Sequence, residues 1–143
     1  MQARRTVYKG ITMRSRLEAS FAAVLDSATL TWRYEPQCFA DQAGQYLPDF
    51  LVIFEGERVY LEVKPPTADT SAALLKMHII RASEPGANLK VVVPTGVYPY
   101  QGWTFAESCS PAQPCAHCAG IRFGWKKCSQ EETDAFLADR PWP

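Results

Sequence analysis

The spacing of apolar residues near the start of the chain predicts an amphipathic helix. Ser15 and Glu18 have the form of a capping box, which marks a helix start. The positions that recur at helical spacing and form one apolar face are Leu17, Phe21, Val24, Leu25 and Ala28. At about 100° per residue, Glu18 lies at the edge of that face and not on the opposite, solvated side.

Three stretches with the pattern of β-strands follow this helix. Residues 32–39 are rich in aromatic side chains, and residues 46–54 form a dense apolar run that one carboxylate, Asp49, interrupts. Residues 58–64 alternate strictly between the two faces of a strand. Because the tight turn 55–57 separates the last two stretches, we expect them to form a hairpin.

One more helix and one more strand are predicted before the pattern changes. Apolar residues suit a helix over about 69–82, and residues 89–93 are a β-branched run long enough for a buried strand. A strand, a helix and a strand in that order imply a right-handed crossover and a parallel pair. The predicted order is αβββαβ, an α/β sandwich with a mixed sheet.

The chain after this core has a different texture. Gly, Pro, Ser and Cys dominate from residue 95 to 128, which predicts loops, and a short helix is expected at about 130–139. We therefore divide the chain into a basic N-terminal arm (1–14), a core (15–94) and a Cys-rich segment with a C-terminal helix (95–143).

Composition narrows the class of protein. Apolar residues make up 47% and charged residues 21% of the 143 residues, which is typical of a globular chain and excludes disorder throughout. No run of about 18 uncharged apolar residues occurs, so no membrane-spanning helix is expected. The basic N-terminus lacks the apolar region of a secretory signal, and a cytoplasmic protein is predicted.

The net charge of zero argues against a uniformly basic DNA-binding surface, since 15 Lys and Arg residues balance 15 Asp and Glu residues. A local basic surface remains open. The first 16 residues contain no acid and five cations: Arg4, Arg5, Lys9, Arg14 and Arg16. These are candidates for contacts with nucleic-acid phosphates, and a solvated, frayed arm is the alternative.

The predicted hairpin brings together side chains that can carry chemistry. Alternation puts Glu62 and Lys64 on one face of its second strand, where Glu62 can meet Asp49. Two carboxylates and an ammonium group beside an apolar sheet are costly unless a cation or other partners compensate. Two carboxylates, a backbone carbonyl and waters suit Mg²⁺, or Mn²⁺ in its place, and such an ion polarises a phosphate. A lysine at that edge can orient the nucleophile or stabilise developing negative charge.

Pro48-Asp49, followed after twelve residues by Glu62-Val63-Lys64, resembles the signature of the PD-(D/E)xK nuclease superfamily. The helix that carries Glu18 is similar to the N-terminal acidic helix of many members, among them phage junction-resolving and transposon end-cleaving endonucleases. The resemblance covers residues 15 to about 93. The αβββαβ order agrees with the restriction-endonuclease-like core of that family.

The resemblance implies a Mg²⁺-dependent endonuclease that hydrolyses DNA phosphodiester bonds and leaves a 5′-phosphate and a 3′-hydroxyl. It implies that Asp49, Glu62 and the carbonyl of Val63 hold the metal ion. Lys64 would then assist the attacking water, and Glu18 would complete or orient the site. In some members the following helix adds a basic or polar residue, for which Lys76 is the candidate. DNA is the implied partner, with a homodimer or a larger nucleoprotein assembly expected.

Other interpretations of the same residues stay open. Glu18 could serve only as the capping partner of Ser15, and Glu62 and Lys64 could be ordinary polar residues on a solvent-facing strand. Two other functions fit the sequence. One is a non-catalytic nucleic-acid-binding module with the same fold, and the other is a metal-dependent phosphodiesterase acting on a smaller substrate.

Four of the five cysteines fall within one stretch of 20 residues: Cys109, Cys115, Cys118 and Cys128. Cys115 and Cys118 have a zinc-knuckle spacing, and four thiolates could close a structural Zn²⁺ site that helps this loop-rich segment to fold. The odd count favours an intracellular, reducing setting, in which unligated thiols are the alternative. Cys38 is expected to behave as a small core residue.

Overall fold

The computed structural model has a five-stranded mixed sheet at its centre, with helices on both faces. It describes residues 5–40, 45–66, 70–84, 86–96, 102–107, 126–127, 129 and 131. The strands are β1 (Thr6–Tyr8), β2 (Ile11–Met13), β3 (Thr31–Tyr34), β4 (Phe39–Ala40), β5 (Gln45–Tyr46), β6 (Phe50–Phe54), β7 (Glu57–Val63), β8 (Asn88–Thr95), β9 (Gly102–Glu107) and β10 (Lys126–Lys127). The helices are α1 (Arg16–Ser27), α2 (Thr70–Met77) and α3 (Ile79–Ser83).

The strands of the central sheet are ordered β3-β6-β7-β8-β9. Strands β7 and β8 run parallel, and the other neighbours are antiparallel. The chain passes from β7 to β8 through α2 and α3, which is the crossover that the sequence predicts. The predicted α/β class with a mixed sheet is therefore confirmed.

Alternating residues of the sheet build two separate apolar layers. One layer joins α1 to the sheet and contains Phe21 and Leu25 together with Phe50, Leu61 and Val92. The other layer joins α2 and α3 to the opposite face, and its largest members are Leu51, Tyr60, Met77, Ile80 and Val91. Because neighbouring residues of one strand enter opposite layers, the central strands are apolar on both faces.

The apolar face of α1 differs in part from the prediction. Phe21 and Leu25 are buried as expected, and Ser15 caps the helix by accepting a hydrogen bond from the Glu18 amide. Val24 is 39% exposed, whereas Ala22 is fully buried. The small alanine faces the sheet because it allows the helix to approach closely, so the buried stripe is rotated relative to the predicted one.

Two hairpins use the same kind of tight turn. Glu55 and Gly56 both have positive φ angles, +50° and +79°, and they connect β6 to β7 where the sequence predicts a hairpin. Lys9 and Gly10 have φ angles of +47° and +80° and connect β1 to β2. Two-residue turns with this geometry match the twist of antiparallel strands. Residues 6–13 therefore form a hairpin, and the expectation of a frayed arm is wrong for them.

The predicted strand 32–39 is two strands in different sheets. Strand β3 ends at Tyr34, Glu35 has a φ of +46°, and Pro36 follows it. A left-handed residue and a proline both break an extended strand, so β4 leaves the central sheet and pairs with β5 and β10. The predicted strand 46–54 is likewise divided into β5 and β6, with Pro48 between them.

The structure differs from two further predictions, and a third lies outside the described residues. The predicted helix 69–82 is interrupted at His78, which separates α2 from α3. Strand β9 lies in the region predicted to be loops, and it pairs with β8 over Lys90 to Thr95. The predicted helix 130–139 lies almost entirely outside the described residues.

No helix in the described part of the chain is long and apolar enough to cross a membrane.

Candidate active site

Asp49 and Glu62 face each other at the end of the β6–β7 hairpin, as the alternation of the two strands predicts. The register pairs Phe50 with Leu61, and one step further along the same antiparallel register leads to Asp49 and Glu62. Asp49 Oδ2 accepts a 2.8 Å hydrogen bond from the backbone N–H of Val63. Glu62 is only 8% exposed, so it is not an ordinary polar residue on a solvent-facing strand.

The backbone around Asp49 is held from the neighbouring strand as well. Pro48 is fully buried and separates β5 from β6. The carbonyl of Asp49 accepts a 2.7 Å hydrogen bond from the N–H of Glu35, directly after β3 ends. The buried proline and this backbone bond together fix the position of Asp49 at the end of the sheet.

The environment of Asp49 opposes ionisation of its carboxyl group. Burial raises the pKa of Asp49 well above its usual value, and the nearby charges of Glu62 and Glu18 raise it further. The Val63 amide and the Lys64 ammonium group lower it in part. The site therefore brings several carboxyl groups together where water solvates them poorly. A bound cation would stabilise their charged forms.

The environment of Glu62 also raises the pKa of its carboxyl group, with burial as the largest cause. Burial raises its pKa, while hydrogen bonds from Tyr46 and Asp49 and the charges of Lys64 and Lys76 act in the opposite direction. Asp49 and Glu62 each affect the pKa of the other carboxyl group, so the two groups lie close together. Two carboxyl groups this close share protons as a pair.

Lys64 follows β7 directly and lies beside this pair. Its Nζ is 4.0 Å from Glu62 Oε2, and its side chain is 38% exposed. The backbone N–H of Lys64 donates to the carbonyl of Val92 on β8, which fixes the point where the side chain leaves the sheet. The ammonium group can thus reach a bound substrate while it remains close to Glu62.

Glu18 approaches from the N-terminal end of α1. Its Oε1 accepts a 3.2 Å hydrogen bond from Ser15 Oγ, and its Oε2 accepts a 2.6 Å hydrogen bond from the hydroxyl of Tyr34. Glu18 is therefore the partner of Ser15 at the helix start. It is also close enough to Asp49 for its charge to raise the pKa of Asp49, so it belongs to the same charged cluster.

Two tyrosines of the site were missed in the sequence. The Tyr46 hydroxyl donates a 2.6 Å hydrogen bond to Glu62 Oε1, and Tyr34 holds Glu18 in the same way. Both tyrosines are the last residues of short strands, β5 and β3. Aromatic residues in such places are commonly explained by strand preference and packing, and only the pairing across strands reveals what their hydroxyls contact.

Lys76 lies next to the site, as its position on the following helix suggests. It is exposed on α2, and its Nζ is 5.1 Å from the centroid of the Tyr46 ring. Its charge also helps to lower the pKa of Glu62. A cation beside the ring of Tyr46, whose hydroxyl is bonded to Glu62, is suitably placed for an anionic ligand that enters the site from the α2 side.

The basic residues of the N-terminal region divide into two groups. Lys9, at the turn of the β1–β2 hairpin, pairs with Asp26 Oδ2 at 2.9 Å. Arg14 is at the other end of the hairpin, where its backbone N–H donates a 3.0 Å hydrogen bond to the Tyr34 hydroxyl. Because Asp26 and Glu18 are about 12 Å apart along α1 by the usual helical rise, Lys9 lies away from the carboxylate cluster.

Two other described cations lie near Arg14. Arg5 precedes β1 and adjoins Arg14 in the hairpin register, and Arg16 begins α1. Both Arg5 and Arg16 are exposed. Arg4 lies outside the described residues. Arg5, Arg14 and Arg16 are therefore the predicted phosphate-contacting residues that the structure brings to the carboxylate end of the molecule.

Within the part of the chain that the structure describes, no group of three or more His, Cys, Asp or Glu side chains is arranged to hold a metal ion. The four cysteines expected to bind Zn²⁺, Cys109, Cys115, Cys118 and Cys128, lie outside the described residues. Cys38 is fully buried as expected.

Cys38 is also disulfide-bonded.

Comparisons of the chain with protein-family models, with curated proteins and with solved structures found no match.

Proposed function

We propose that this chain is a Mg²⁺-dependent endonuclease that hydrolyses DNA phosphodiester bonds on a restriction-endonuclease-like core. The observation that carries the proposal is that the β6–β7 register brings Asp49 opposite Glu62, with Lys64 Nζ 4.0 Å from Glu62. Two carboxyl groups whose pKa values burial raises are costly to place together unless a partner stabilises their charged forms. A divalent cation is such a partner.

The donor set suits Mg²⁺ even though no group of three acidic or other ligand side chains is preformed in the described residues. Mg²⁺ is usually held by one or two carboxylates, and substrate phosphate oxygens and waters complete its coordination. Asp49, Glu62 and the carbonyl of Val63 would hold it here, or Mn²⁺ in its place. The bound ion would polarise the scissile phosphate and lower the pKa of a water.

The chain's own groups orient the reactants. The Val63 N–H holds Asp49 Oδ2 and so restricts the orientation of that carboxyl group. Lys64 can orient the attacking water and stabilise the negative charge that develops on the phosphate. Glu18 has both oxygens bonded to hydroxyl groups, so its part is to orient the site and add negative charge.

DNA binding would rest on the cations around this centre. The candidates are Lys76 on α2 and three arginines before or at the start of α1, Arg5, Arg14 and Arg16. Because the rest of the chain carries an excess of negative charge, we expect DNA binding with a modest dependence on salt and a clear gain from a divalent ion. A homodimer or larger nucleoprotein assembly and a cytoplasmic location stay predictions.

The decisive experiment is a cleavage assay with Mg²⁺ or Mn²⁺ on supercoiled plasmid, linear duplex, single-stranded and branched DNA. Wild type is compared with Lys64→Ala and with the same reactions in EDTA. Cleavage that needs the metal ion and is lost in Lys64→Ala is the expected result. Equal behaviour of wild type and Lys64→Ala contradicts the proposal.

The same assay separates the other two functions. DNA binding by wild type without cleavage of any substrate identifies a non-catalytic binding module. Hydrolysis of bis(p-nitrophenyl) phosphate without cleavage of any DNA identifies a phosphodiesterase for smaller substrates.

A further inference from the structure

A buried phenol holds one of the two carboxylate oxygens of Glu62. Tyr46 is 2% exposed, and its hydroxyl donates a 2.6 Å hydrogen bond to Glu62 Oε1. A phenol has one proton to donate, so this bond uses the whole donor capacity of Tyr46. The other oxygen, Oε2, lies 4.0 Å from Lys64 Nζ. The two oxygens of Glu62 therefore have different roles.

The bond to Tyr46 sets the direction of the remaining oxygen. With Oε1 held, rotation of the Glu62 carboxylate is restricted, and Oε2 stays on the side of Lys64. A carboxylate that is already oriented loses less freedom when it binds a cation than one that must first be ordered. The rigid ring of Tyr46 is itself anchored in the apolar layer beneath α2.

Lys76 connects this arrangement to the surface. Its Nζ lies 5.1 Å from the Tyr46 ring centroid, within the range of a cation–π interaction. Tyr46 thus contacts an exposed cation with its ring and a buried carboxylate with its hydroxyl. The two contacts are chemically independent, because replacement by phenylalanine removes only the second.

We propose that Tyr46 is a positioning residue of the candidate active site. Its hydroxyl holds Glu62 so that Oε2 is presented to a divalent cation shared with Asp49. This inference rests on the proposed function, since it requires Glu62 to bind the cation. Tyr46 itself contacts neither the divalent metal ion nor the DNA, and it acts through Glu62.

Tyr46→Phe is the direct test, and Tyr60→Phe is its matched control. Tyr60 lies in the same apolar layer, and its hydroxyl donates a 2.8 Å hydrogen bond to Glu84 Oε1, a residue outside the site. Each variant loses one phenol-to-carboxylate bond and keeps the ring. Circular dichroism and thermal unfolding establish that both variants fold.

Calorimetric titration with Mn²⁺ in the absence of DNA gives a measurement that does not depend on cleavage. We expect the dissociation constant for Mn²⁺ to rise about 10-fold or more in Tyr46→Phe, the size usual for losing a hydrogen bond to a metal ligand. Tyr60→Phe should bind Mn²⁺ like wild type. In the cleavage assay, Tyr46→Phe should need more Mg²⁺ for half-maximal rate while its KM for DNA is unchanged.

The outcomes separate this inference from the function on which it rests. Equal Mn²⁺ affinity in wild type and Tyr46→Phe overturns the positioning role and leaves the nuclease proposal intact. Absence of Mn²⁺ binding by wild type, or undiminished binding by Asp49→Ala, overturns the nuclease proposal, and the positioning role falls with it.

A wild-type measurement covers the case in which Tyr46→Phe does not fold. With ¹³C at the tyrosine Cζ atoms, the Tyr46 resonance should move when Mg²⁺ binds, because its hydroxyl is bonded to a ligand of the ion. The Tyr60 resonance should stay in place. An unmoved Tyr46 resonance in protein that binds Mg²⁺ overturns the inference.

Discussion

The backbone N–H of Val63 donates a 2.8 Å hydrogen bond to Oδ2 of Asp49, across the hairpin that joins their two strands. Val63, which lies between Glu62 and Lys64, thus holds Asp49 in place. A backbone donor is set by strand register and not by a side-chain rotamer. The position of Asp49 relative to Glu62 is therefore as rigid as the hairpin itself.

Asp49→Asn should separate stability from activity. An asparagine keeps an acceptor oxygen for the Val63 amide and removes a charge that burial and two neighbouring carboxylates disfavour. We expect the variant in EDTA to unfold at the same temperature as wild type or higher. Cleavage should fall about 100-fold or more, since even the loss of a bond to a metal ligand costs 10- to 100-fold. A clear drop in Tm would contradict this account of the site.

Lys64→Met should slow cleavage without abolishing cation binding. The ammonium group is assigned to the developing charge on the phosphate, and removing one such donor costs about 100- to 1000-fold in kcat. Mn²⁺ affinity measured by calorimetry should stay within a few-fold of wild type. Lys90→Met is the control, because Lys90 Nζ lies 5.6 Å from the Phe105 ring centroid and has no assigned role in the site. Equal loss of cleavage in both variants would count against the assignment.

The two groups of basic residues should respond differently in DNA binding. Arg14→Gln and Arg16→Gln should each reduce the slope of log K against log salt by about 0.9, the value for one phosphate contact. Lys9→Gln should leave the slope unchanged, because Lys9 pairs with Asp26 near the far end of α1. Fluorescence anisotropy with a labelled duplex over a range of salt concentrations measures all three. An equal reduction for Lys9→Gln would place DNA along the whole hairpin.

Acid should loosen the attachment of the N-terminal hairpin to α1. Hydrogen bonds from Tyr8, Trp32 and Lys9 lower the pKa of Asp26 to about 2 from its usual value near 3.8. A carboxyl group whose pKa is lower in the folded state stabilises the fold above its unfolded pKa. That contribution is lost as the pH falls from about 4 to 2.

Urea unfolding between pH 6 and pH 2 checks this prediction against Asp26→Asn. The difference in free energy of unfolding between wild type and the variant should shrink across the interval from pH 4 to pH 2. A difference that stays constant over that range would show that the ionised form of Asp26 is not the source of the stabilisation.

The disulfide of Cys38 predicts the thiol count. At most three of the five cysteines should react with Ellman's reagent in denatured, unreduced protein, and all five after reduction. Peptide mapping without reduction identifies the peptide joined to Cys38. Five reactive thiols in denatured, unreduced protein would contradict the prediction.

The parts of the fold that were predictable rest on local signals. The start of α1 depends on Ser15 and Glu18, and the β6–β7 hairpin depends on Glu55 and Gly56 between two apolar strands. The parts that were missed have weak local signals. Strand β9 has no continuous apolar face, and the division of the predicted strand 32–39 depends on one left-handed residue, Glu35, before a proline.

The sequence by itself determined that Asp49 and Glu62 lie on one face, because side-chain alternation and a two-residue turn leave one register. It also placed Glu18 at the edge of the apolar face of α1. Only the tertiary structure decided which groups surround those carboxylates. Tyr34 and Tyr46 reach them from other strands, and Lys9 is drawn to Asp26, because such contacts depend on how separate elements pack and not on spacing along the chain.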